Sequence, residues 1–378
     1  MSEYQYYEFQ AVDRALTAEE ISDLRSYSSR ARITPTTFVV DYAWGNFKGD
    51  EDAWMAKYFD AFLYLANWGT HVLKLRLPSR LLDPEIAKEY CYGDSAFIRE
   101  KAGKLIITFV SEDEEGGEWI EGEGYLSELI SVRGELARGD LRALYLGWLL
   151  QVQSGEVDDD DTEPPVPPGL GQLSASLESL AEFLRIDGDL LHVAAEASPP
   201  ISETGLDRDE VHVWVSKLPV KEKDDVITNL IVDADHTHIA ELLQRYLKVQ
   251  AGNGGTTTTA RTSGRLLKAA EVYTTERKRI EAEKRAKKKA ERERAAAIAR
   301  EKHLDSLVGQ ERKLWTDIDK LVATKQPKNY DQAVKLIVDL RDLAARGKGG
   351  DFGLRIEALR QTHARKPSFM ERLKKAKL

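Results

Sequence analysis

The stretch His71-Val72-Leu73-Lys74-Leu75-Arg76-Leu77 places leucine at every second position. Successive side chains of a β-strand point to opposite faces, so this alternation predicts a strand with one wholly apolar face. Downstream, residues 96–99 and 105–110 predict two more strands around Lys101-Ala102-Gly103-Lys104, a sequence typical of a hairpin turn. These elements indicate a β-sheet in the first part of the chain.

Strands and helices alternate before this stretch. Residues 4–13 and 32–43 are rich in aromatic and β-branched residues and predict two strands. Thr17 and Glu20 fit a capping box at the start of a helix between them. A second helix is predicted from residues 50–52 to a stop at residues 67–69, because apolar residues recur at helical spacing. These residues are Trp54, Tyr58, Ala61, Phe62 and Leu65.

The order of these elements predicts an α+β fold, with a small α/β sandwich at the N-terminus and a mostly α-helical region after it. A ferredoxin-like sandwich is one arrangement that the order allows. We expect the following organisation: an aromatic-rich body over 1–155, an acidic and proline-rich linker over 156–171, a mainly helical domain over 172–250, a Gly/Thr linker over 251–263, and a basic long helix with a terminal helical hairpin over 264–378. The first linker contains four consecutive aspartates, Asp158 to Asp161, and a proline-rich run, which together favour an extended chain.

Charge is distributed very unevenly along the sequence. Residues 251–378 hold 32 Lys and Arg against 17 Asp and Glu, whereas the first 250 residues hold 23 against 47. Such an asymmetry indicates an arm for an anionic partner, or a body and an arm that attract each other.

The basic stretch between residues 277 and 300 is the most distinctive motif. Its Lys and Arg side chains are candidates for binding a polyanion such as DNA or RNA. The alternative is a solvated helix, or a coiled coil, whose own glutamates offset the charge through pairs such as Glu281–Arg285 and Glu283–Lys287. No aromatic residue that could stack on bases lies between Tyr273 and Trp315. The candidate polyanion-binding residues are Arg277, Lys278, Arg279, Lys284, Arg285, Lys287, Lys288, Lys289, Arg292 and Arg294.

Two apolar groups are candidates for contacts with a partner protein. Trp44 and Phe47 lie on a glycine-flanked loop, where aromatic residues mark binding surfaces. Leu314, Trp315 and Ile318 belong to an apolar stripe in the last part of the chain, and a second stripe follows after Pro327. The sequence therefore predicts a helical tip that docks a protein.

The sequence contains no motif that identifies an enzyme. Cys91 is the only cysteine and has no Cys-x-x-Cys partner, so we interpret it as a buried thiol in a chain from a reducing compartment. The tract from Asp233 to His238 offers two imidazoles and two carboxylates for a metal, but its His-x-His spacing favours a helix cap instead. We predict no catalytic residue, no metal and no cofactor, and leave enzymatic activity open while favouring its absence.

The location of the protein is predicted from what the sequence lacks. There is no signal peptide at Met1–Tyr7 and no apolar run long enough to cross a membrane, so we expect a cytoplasmic protein without a membrane partner.

The N-terminal segment carries a pattern of short motifs. They include Tyr7-Glu8-Phe9, Asp13-Arg14, Leu16-Thr17, Ser28-Ser29-Arg30-Ala31, Ile33-Thr34-Pro35-Thr36, Trp44-Gly45 through Gly49-Asp50, and Tyr64 to Thr70. On these residues the first ~110 positions resemble a group of uncharacterised bacterial proteins. The resemblance implies a bacterial source and carries no activity with it.

Three functions are compatible with these features. The first is a non-catalytic adaptor or scaffold of a bacterial multiprotein system, which docks partner proteins through the helical arm. The second is a protein that binds DNA or RNA non-specifically through the basic helix. The third is an enzyme with an unrecognised site in the N-terminal body. The charge-segregated body and arm and the absence of catalytic motifs favour the adaptor.

Overall fold

Seven antiparallel strands form one sheet in the order β2-β3-β1-β4-β5-β7-β6. Their bounds are β1 Gln5–Gln10, β2 Arg32–Ile33, β3 Thr37–Tyr42, β4 Ala61–Ala66, β5 His71–Pro78, β6 Ala96–Lys101 and β7 Lys104–Ser111. The computed structural model describes residues 3–113, 121–200, 208–232, 242, 245–246, 261–347 and 351–378. The α+β class is confirmed, although three hairpin pairs (β2–β3, β4–β5 and β6–β7) replace the split βαβ units of a ferredoxin-like sandwich.

Helices make up most of the remaining described chain. Before the long helix they are α1 Ala18–Tyr27, α2 Glu51–Lys57, α3 Pro84–Lys88, α4 Tyr125–Leu129, α5 Ser131–Ala137, α6 Arg142–Gln153, α7 Ala175–Phe183, α8 Gly188–Ala195, α9 Arg208–Ser216 and α10 Val220–Val232. The long helix α11 spans Ser263–Leu307, and α12 Glu311–Ala323, α13 Pro327–Ala345, α14 Phe352–Thr362 and α15 Pro367–Lys375 follow it. The chain forms two compact units, Met1–Glu276 and Arg277–Leu378, whose boundary falls within α11.

Each face of the sheet carries its own apolar core. The leucines of β5 point to one face, where Leu73 and Leu75 pack among side chains from α4 to α8. On the other face, Phe9 and Phe62 pack with Trp54 of α2 in an aromatic cluster. Residues 71–77 therefore form a strand with one buried apolar face, as their alternation predicts. The predicted hairpin at residues 96–110 is also confirmed, as β6–β7.

The start of α1 is also confirmed. The Thr17 hydroxyl accepts the backbone N–H of Glu20 at 3.2 Å, and the Glu20 carboxylate accepts the backbone N–H of Thr17 at 2.8 Å. This reciprocal pair is the capping box, and it satisfies two backbone donors that have no partner inside the helix.

The second predicted helix is wrong beyond Lys57. Helix α2 ends there, and Ala61–Ala66 forms strand β4. This strand lies between β1 and β5 and is buried on both faces, with Phe62 in the aromatic cluster and Leu63 in the opposite core. A strand buried on both sides has few polar positions, so its apolar residues imitate a helical spacing. The predicted strand at 32–43 is likewise divided, into β2 and β3.

The acidic and proline-rich segment 156–171 packs on the body, whereas the sequence predicts an extended linker there. Val157 and Leu170 are buried, and the Tyr90 hydroxyl donates to the Pro165 carbonyl at 2.6 Å. The first compact unit continues through this segment to Glu276. Proline and aspartate disfavour regular structure, but they do not prevent packing where apolar neighbours such as these anchor the chain.

The second unit has a core of its own. Helices α12, α14 and α15 all pack on α13. Its fully buried side chains include Ile318, Val322, Ile337 and Phe369. The predicted helical hairpin is present as α12–α13, and α14 and α15 extend it to a small bundle. Within the described ranges, no helix combines the length and the apolarity that crossing a bilayer requires.

Candidate polyanion interface

The long helix begins on the acidic turn that the sequence assigns to a linker. The backbone N–H groups of Ser263 and Gly264 donate to the carbonyls of Asp161 and Asp159, each at 3.0 Å, and the Ser263 hydroxyl donates to the Asp158 carbonyl. These contacts satisfy donors in the first turn of α11. The four aspartates also lie beside the positive end of the helix dipole, which is a favourable place for carboxylates.

An ion pair fastens the residues just before α11 to the body. Arg261 donates to both carboxylate oxygens of Glu163 at 2.7 Å and to the Val193 carbonyl at 3.1 Å, and the Tyr145 hydroxyl also donates to Glu163. Burial alone would lower the pKa of Arg261, but the hydrogen bonds and the charge of Glu163 outweigh it and raise that pKa. Arg261 is therefore held in its charged form.

The first turns of α11 pack on the same body. Leu266 is fully buried in the first core, and Tyr273 stacks on His192 with ring centroids 4.3 Å apart. The Thr274 hydroxyl donates to Asp189 at 2.8 Å. The helix is thus buried along its first three turns, and near its other end Leu304 is buried again.

Between residues 277 and 299, α11 has no buried side chain, and its cations are distributed unequally around the axis. At ~100° per residue, seven of the ten predicted basic residues fall within an arc of about 140°. Glu281 is the one acidic residue in that arc. We call this arc the basic face, and it consists of Arg277, Lys278, Lys284, Arg285, Lys288, Lys289 and Arg292.

The other side of the helix is mixed in charge. The three remaining predicted cations, Arg279, Lys287 and Arg294, alternate there with three carboxylates. These are Glu283, Glu291 and Glu293. The compensation by glutamates that the sequence offers as an alternative to polyanion binding is concentrated on this mixed face.

The ion pairs along this part of α11 run opposite to the predicted direction. Glu281 pairs with Arg277 at 2.9 Å and Glu283 pairs with Arg279 at 2.6 Å, where the sequence predicts Arg285 and Lys287 as partners. Each glutamate has a cation four residues away on both sides, so sequence spacing does not select between them.

Five cations of the basic face make no ion pair with any residue that the structure describes. They are Lys278, Lys284, Arg285, Lys288 and Arg292, and all five are exposed. On the same face Arg277 pairs with Glu281, and Lys289 lies 4.0 Å from Glu293. Such exposed pairs contribute only ~0–1 kcal/mol and are easily exchanged. The structure thus brings uncompensated positive charge to one side of the helix.

The predicted protein-contact residues have different positions. Trp44 is 71% exposed, with the Arg30 guanidinium 5.6 Å from its ring centroid. Phe47 instead stacks on Tyr7 at 5.1 Å and belongs to the aromatic core. Only Trp44 of this pair is a surface residue.

The predicted docking stripe of the tip is not a free surface. Leu314, Trp315 and Ile318 are 8%, 9% and 0% exposed, because α12 packs this stripe against α13. A small bundle needs these side chains for its own core, which an apolar stripe in a sequence does not distinguish from a binding surface.

The structure places the candidate nucleophile Cys91 in the core. Cys91 is fully buried, and burial raises the pKa of its thiol far above the usual range, which opposes nucleophilic chemistry. Among the residues that the structure describes, no three His, Cys, Asp or Glu side chains form a group that could hold a metal ion. The tract from Asp233 to His238 lies outside the described residues.

Sequence reasoning missed the anchorage of α11. Arg261 lies 98 residues after Glu163, and Ser263 lies 105 residues after Asp158, so no local pattern connects the two segments. The one usable signal is Thr262-Ser263 before a long helical pattern, which marks a helix start but does not identify what covers it.

No protein family, no curated protein and no solved structure matches this chain. The resemblance of the N-terminal motifs to a bacterial group therefore stays a prediction.

Proposed function

We propose that this chain is a non-catalytic binding protein that holds DNA or RNA by its phosphate backbone through the basic face of α11. The observation that supports this proposal is the set of five exposed cations on one side of the helix, which have no ion-pair partner among the described residues. Phosphates would supply the missing counter-charges and release condensed counterions on binding.

The charge of the two units favours the same assignment. The unit Arg277–Leu378 contains 29 Lys and Arg against 15 Asp and Glu, a net charge of +14, and Met1–Glu276 has a net charge of −23. A polyanion is attracted by the positively charged unit Arg277–Leu378 and repelled by the negatively charged unit Met1–Glu276. Contact with nucleic acid is therefore expected on α11 and the bundle that follows it.

The mixed face indicates how the helix would lie on a duplex. Its three glutamates would meet phosphates if α11 entered the major groove, where both flanks of a helix approach the backbone. The basic face alone can lie along one ridge of phosphates without that repulsion. From Lys278 to Arg292 the helix rises by about 21 Å, a length over which B-DNA carries about 12 phosphate charges. Recognition in this mode does not depend on base sequence.

A salt titration tests the proposal. The full chain would be titrated into a fluorescein-labelled duplex of about 20 base pairs, and anisotropy measured across a salt series. Since each phosphate contact contributes about −0.9 to the slope of log K against log salt, five contacts give a slope of about −4.5. Absence of binding at low salt would exclude the proposal.

Two triple variants with identical composition changes provide the matched comparison. Lys284→Gln, Arg285→Gln and Arg292→Gln alter the basic face, and Lys287→Gln, Arg279→Gln and Arg294→Gln alter the mixed face. We expect the first triple to reduce the slope by about 2.7 and the second to leave it nearly unchanged. Equal effects would show that charge alone, and not the basic face, governs binding.

Protein docking, the adaptor function favoured by the sequence, is the second candidate. With Leu314 and Ile318 buried in the bundle, it needs a different surface. The observation that supports protein docking is an open groove on the second unit, lined in part by Trp315.

A further inference from the structure

A groove of about 520 Å³ opens between α12 and α14. Its apolar floor comes from Trp315, Ala358 and Leu359, and its polar lining includes Asp319, Arg355 and His363. It exists because α12 and α14 both pack on α13 and leave a channel between them. Within this floor, Trp315 packs against Phe352, with ring centroids 6.0 Å apart.

One wall of the groove carries an unsatisfied polar group. The His363 side chain is 13% exposed, and its buried Nε2 has no hydrogen-bond partner within the described part of the chain. The nearest carboxylate oxygen, on Asp319, is 4.0 Å away. Burial and the nearby Lys366 charge lower the pKa of His363, so its imidazole is neutral near pH 7. The His363 ring therefore adds no positive charge to the groove near neutral pH.

The groove lining includes the cation Arg355, and an exposed aliphatic side chain precedes this residue in the chain. Arg355 makes no ion pair with any described residue, and Leu354 beside it is 74% exposed. Arg312 lies one turn before Trp315 on α12 and is exposed as well. Together with the net charge of +14 on this unit, these residues favour a ligand that is both acidic and apolar.

We infer that this groove docks an acidic segment of a partner protein, which places an apolar side chain over Trp315 and Leu359 and a carboxylate on Arg355. The polar and apolar groups then have complementary partners in one short segment, as in other modes of peptide recognition. A segment of opposite charge could pair with Asp319, but it would place a cation beside Arg355 and on a unit whose net charge of +14 repels it.

The test uses the full chain and a fluorescein-labelled synthetic peptide of about twelve residues that repeats Glu-Glu-Leu. We expect saturable binding by anisotropy, and no binding of the counterpart that repeats Lys-Lys-Leu. Arg355→Glu should weaken binding of the acidic peptide about tenfold or more, the loss of one well-placed charged contact. Equal binding of the acidic and the basic peptide would overturn the inference.

Two arginine insertions on α14 separate the groove from general attraction by charge. Ala358 and Gln361 are both exposed helix positions, but only Ala358 lines the groove. Ala358→Arg adds a positive charge and fills the floor, whereas Gln361→Arg adds the same charge outside. We expect Ala358→Arg to weaken peptide binding at least about tenfold and Gln361→Arg to leave it unchanged or slightly stronger.

If both variants bind the peptide equally, the groove is not the site. If the peptide does not bind and Ala358→Arg instead disrupts self-association in sedimentation, the groove belongs to a second copy of the chain and the inference is wrong. Neither variant alters the basic face of α11, so DNA binding measured on the same samples reports separately on the proposed function.

Discussion

Arg261 and Glu163 form a two-point ion pair, with both N–H···O distances at 2.7 Å, although 98 residues separate them in sequence. The carboxylate is only 4% exposed and also accepts the Tyr145 hydroxyl, and Arg261 reaches the Val193 carbonyl. This pair holds the chain entering α11 against the segment that composition predicts to be a linker. The start of the long helix is therefore part of the first unit and not a hinge.

Loss of this ion pair is expected to destabilise the first unit. Glu163→Gln keeps the shape but leaves the Arg261 guanidinium, itself about one-fifth exposed, without its counter-charge. Breaking a buried pair on one side costs about 3–5 kcal/mol, and the partial exposure of Arg261 reduces the expected loss to about 2–3 kcal/mol. Urea unfolding followed by tryptophan fluorescence measures it, because six of the seven tryptophans belong to this unit.

The control is Glu178→Gln, an equal change at an exposed position of α7. Its effect should stay within about 0.5 kcal/mol. If the two variants shift the urea midpoint equally, Glu163 does not anchor α11.

We expect the first unit to become less stable as the pH falls, because His71 is buried as a neutral imidazole. The imidazole stacks on Phe183, donates from Nδ1 to the Phe183 carbonyl at 2.9 Å and accepts from Arg185 through Nε2 at 2.9 Å. Burial lowers the pKa of His71, and the Arg185 charge lowers it further, against opposing contributions from the Phe183 carbonyl and Asp113. The folded state therefore binds a proton on His71 less readily than the unfolded state.

The sign of the effect follows from this difference. At pH 7.5 both states leave His71 neutral, and stability is unaffected. As the pH falls below about 6.5, the unfolded chain takes up the proton first and the free energy of unfolding decreases. Urea midpoints at pH 7.5, 6.5 and 5.5 measure the decline. His71→Asn, which can still donate to the Phe183 carbonyl, should show a shallower decline, and an identical pH profile would remove His71 as its cause.

The buried stripe of the tip gives a third expectation. Ile318→Ala removes a fully buried side chain from the core of the second unit and should cost about 2–5 kcal/mol. Leu354→Ala removes an aliphatic side chain that is 74% exposed and should change stability by less than about 0.5 kcal/mol. Thermal unfolding monitored by far-UV circular dichroism separates them. If the Ile318→Ala variant is as stable as the parent chain, Ile318 does not belong to the core, and the protein contact that the sequence predicts for it stands.

Local patterns predicted those elements whose partners are close in sequence. The alternating leucines of β5, the Thr17–Glu20 capping box and the 101–104 turn all depend on neighbours within a few residues. Strand β4 was missed because its burial on both faces arises from β1 and β5 pairing around it, which no local spacing encodes.

The candidate sites show the same division. The basic face of α11 can be read from the sequence once positions are placed on a helical wheel, because only helix geometry is needed. The groove cannot be read from the sequence, because Trp315 and Leu359 come together only after α12 and α14 pack on α13. Likewise, the sequence does not reveal whether Leu314 faces a partner or its own bundle.

The aromatic loop of the body provides a matched pair for a last expectation. Phe47 stacks on Tyr7 and lies 4.9 Å from Trp54 between ring centroids, whereas Trp44 three residues earlier is largely exposed. Phe47→Ala should therefore destabilise the first unit by about 2–4 kcal/mol, the cost of removing a half-buried aromatic ring from a core. Trp44→Ala should leave stability within about 0.5 kcal/mol of the parent chain.

Urea unfolding followed by far-UV circular dichroism measures both, because Trp44→Ala would alter a fluorescence signal directly. The loop as a binding surface then depends on Trp44 alone, with Arg30 beside its ring. A Trp44→Ala variant that unfolds as readily as Phe47→Ala would contradict this division and place both rings in the core.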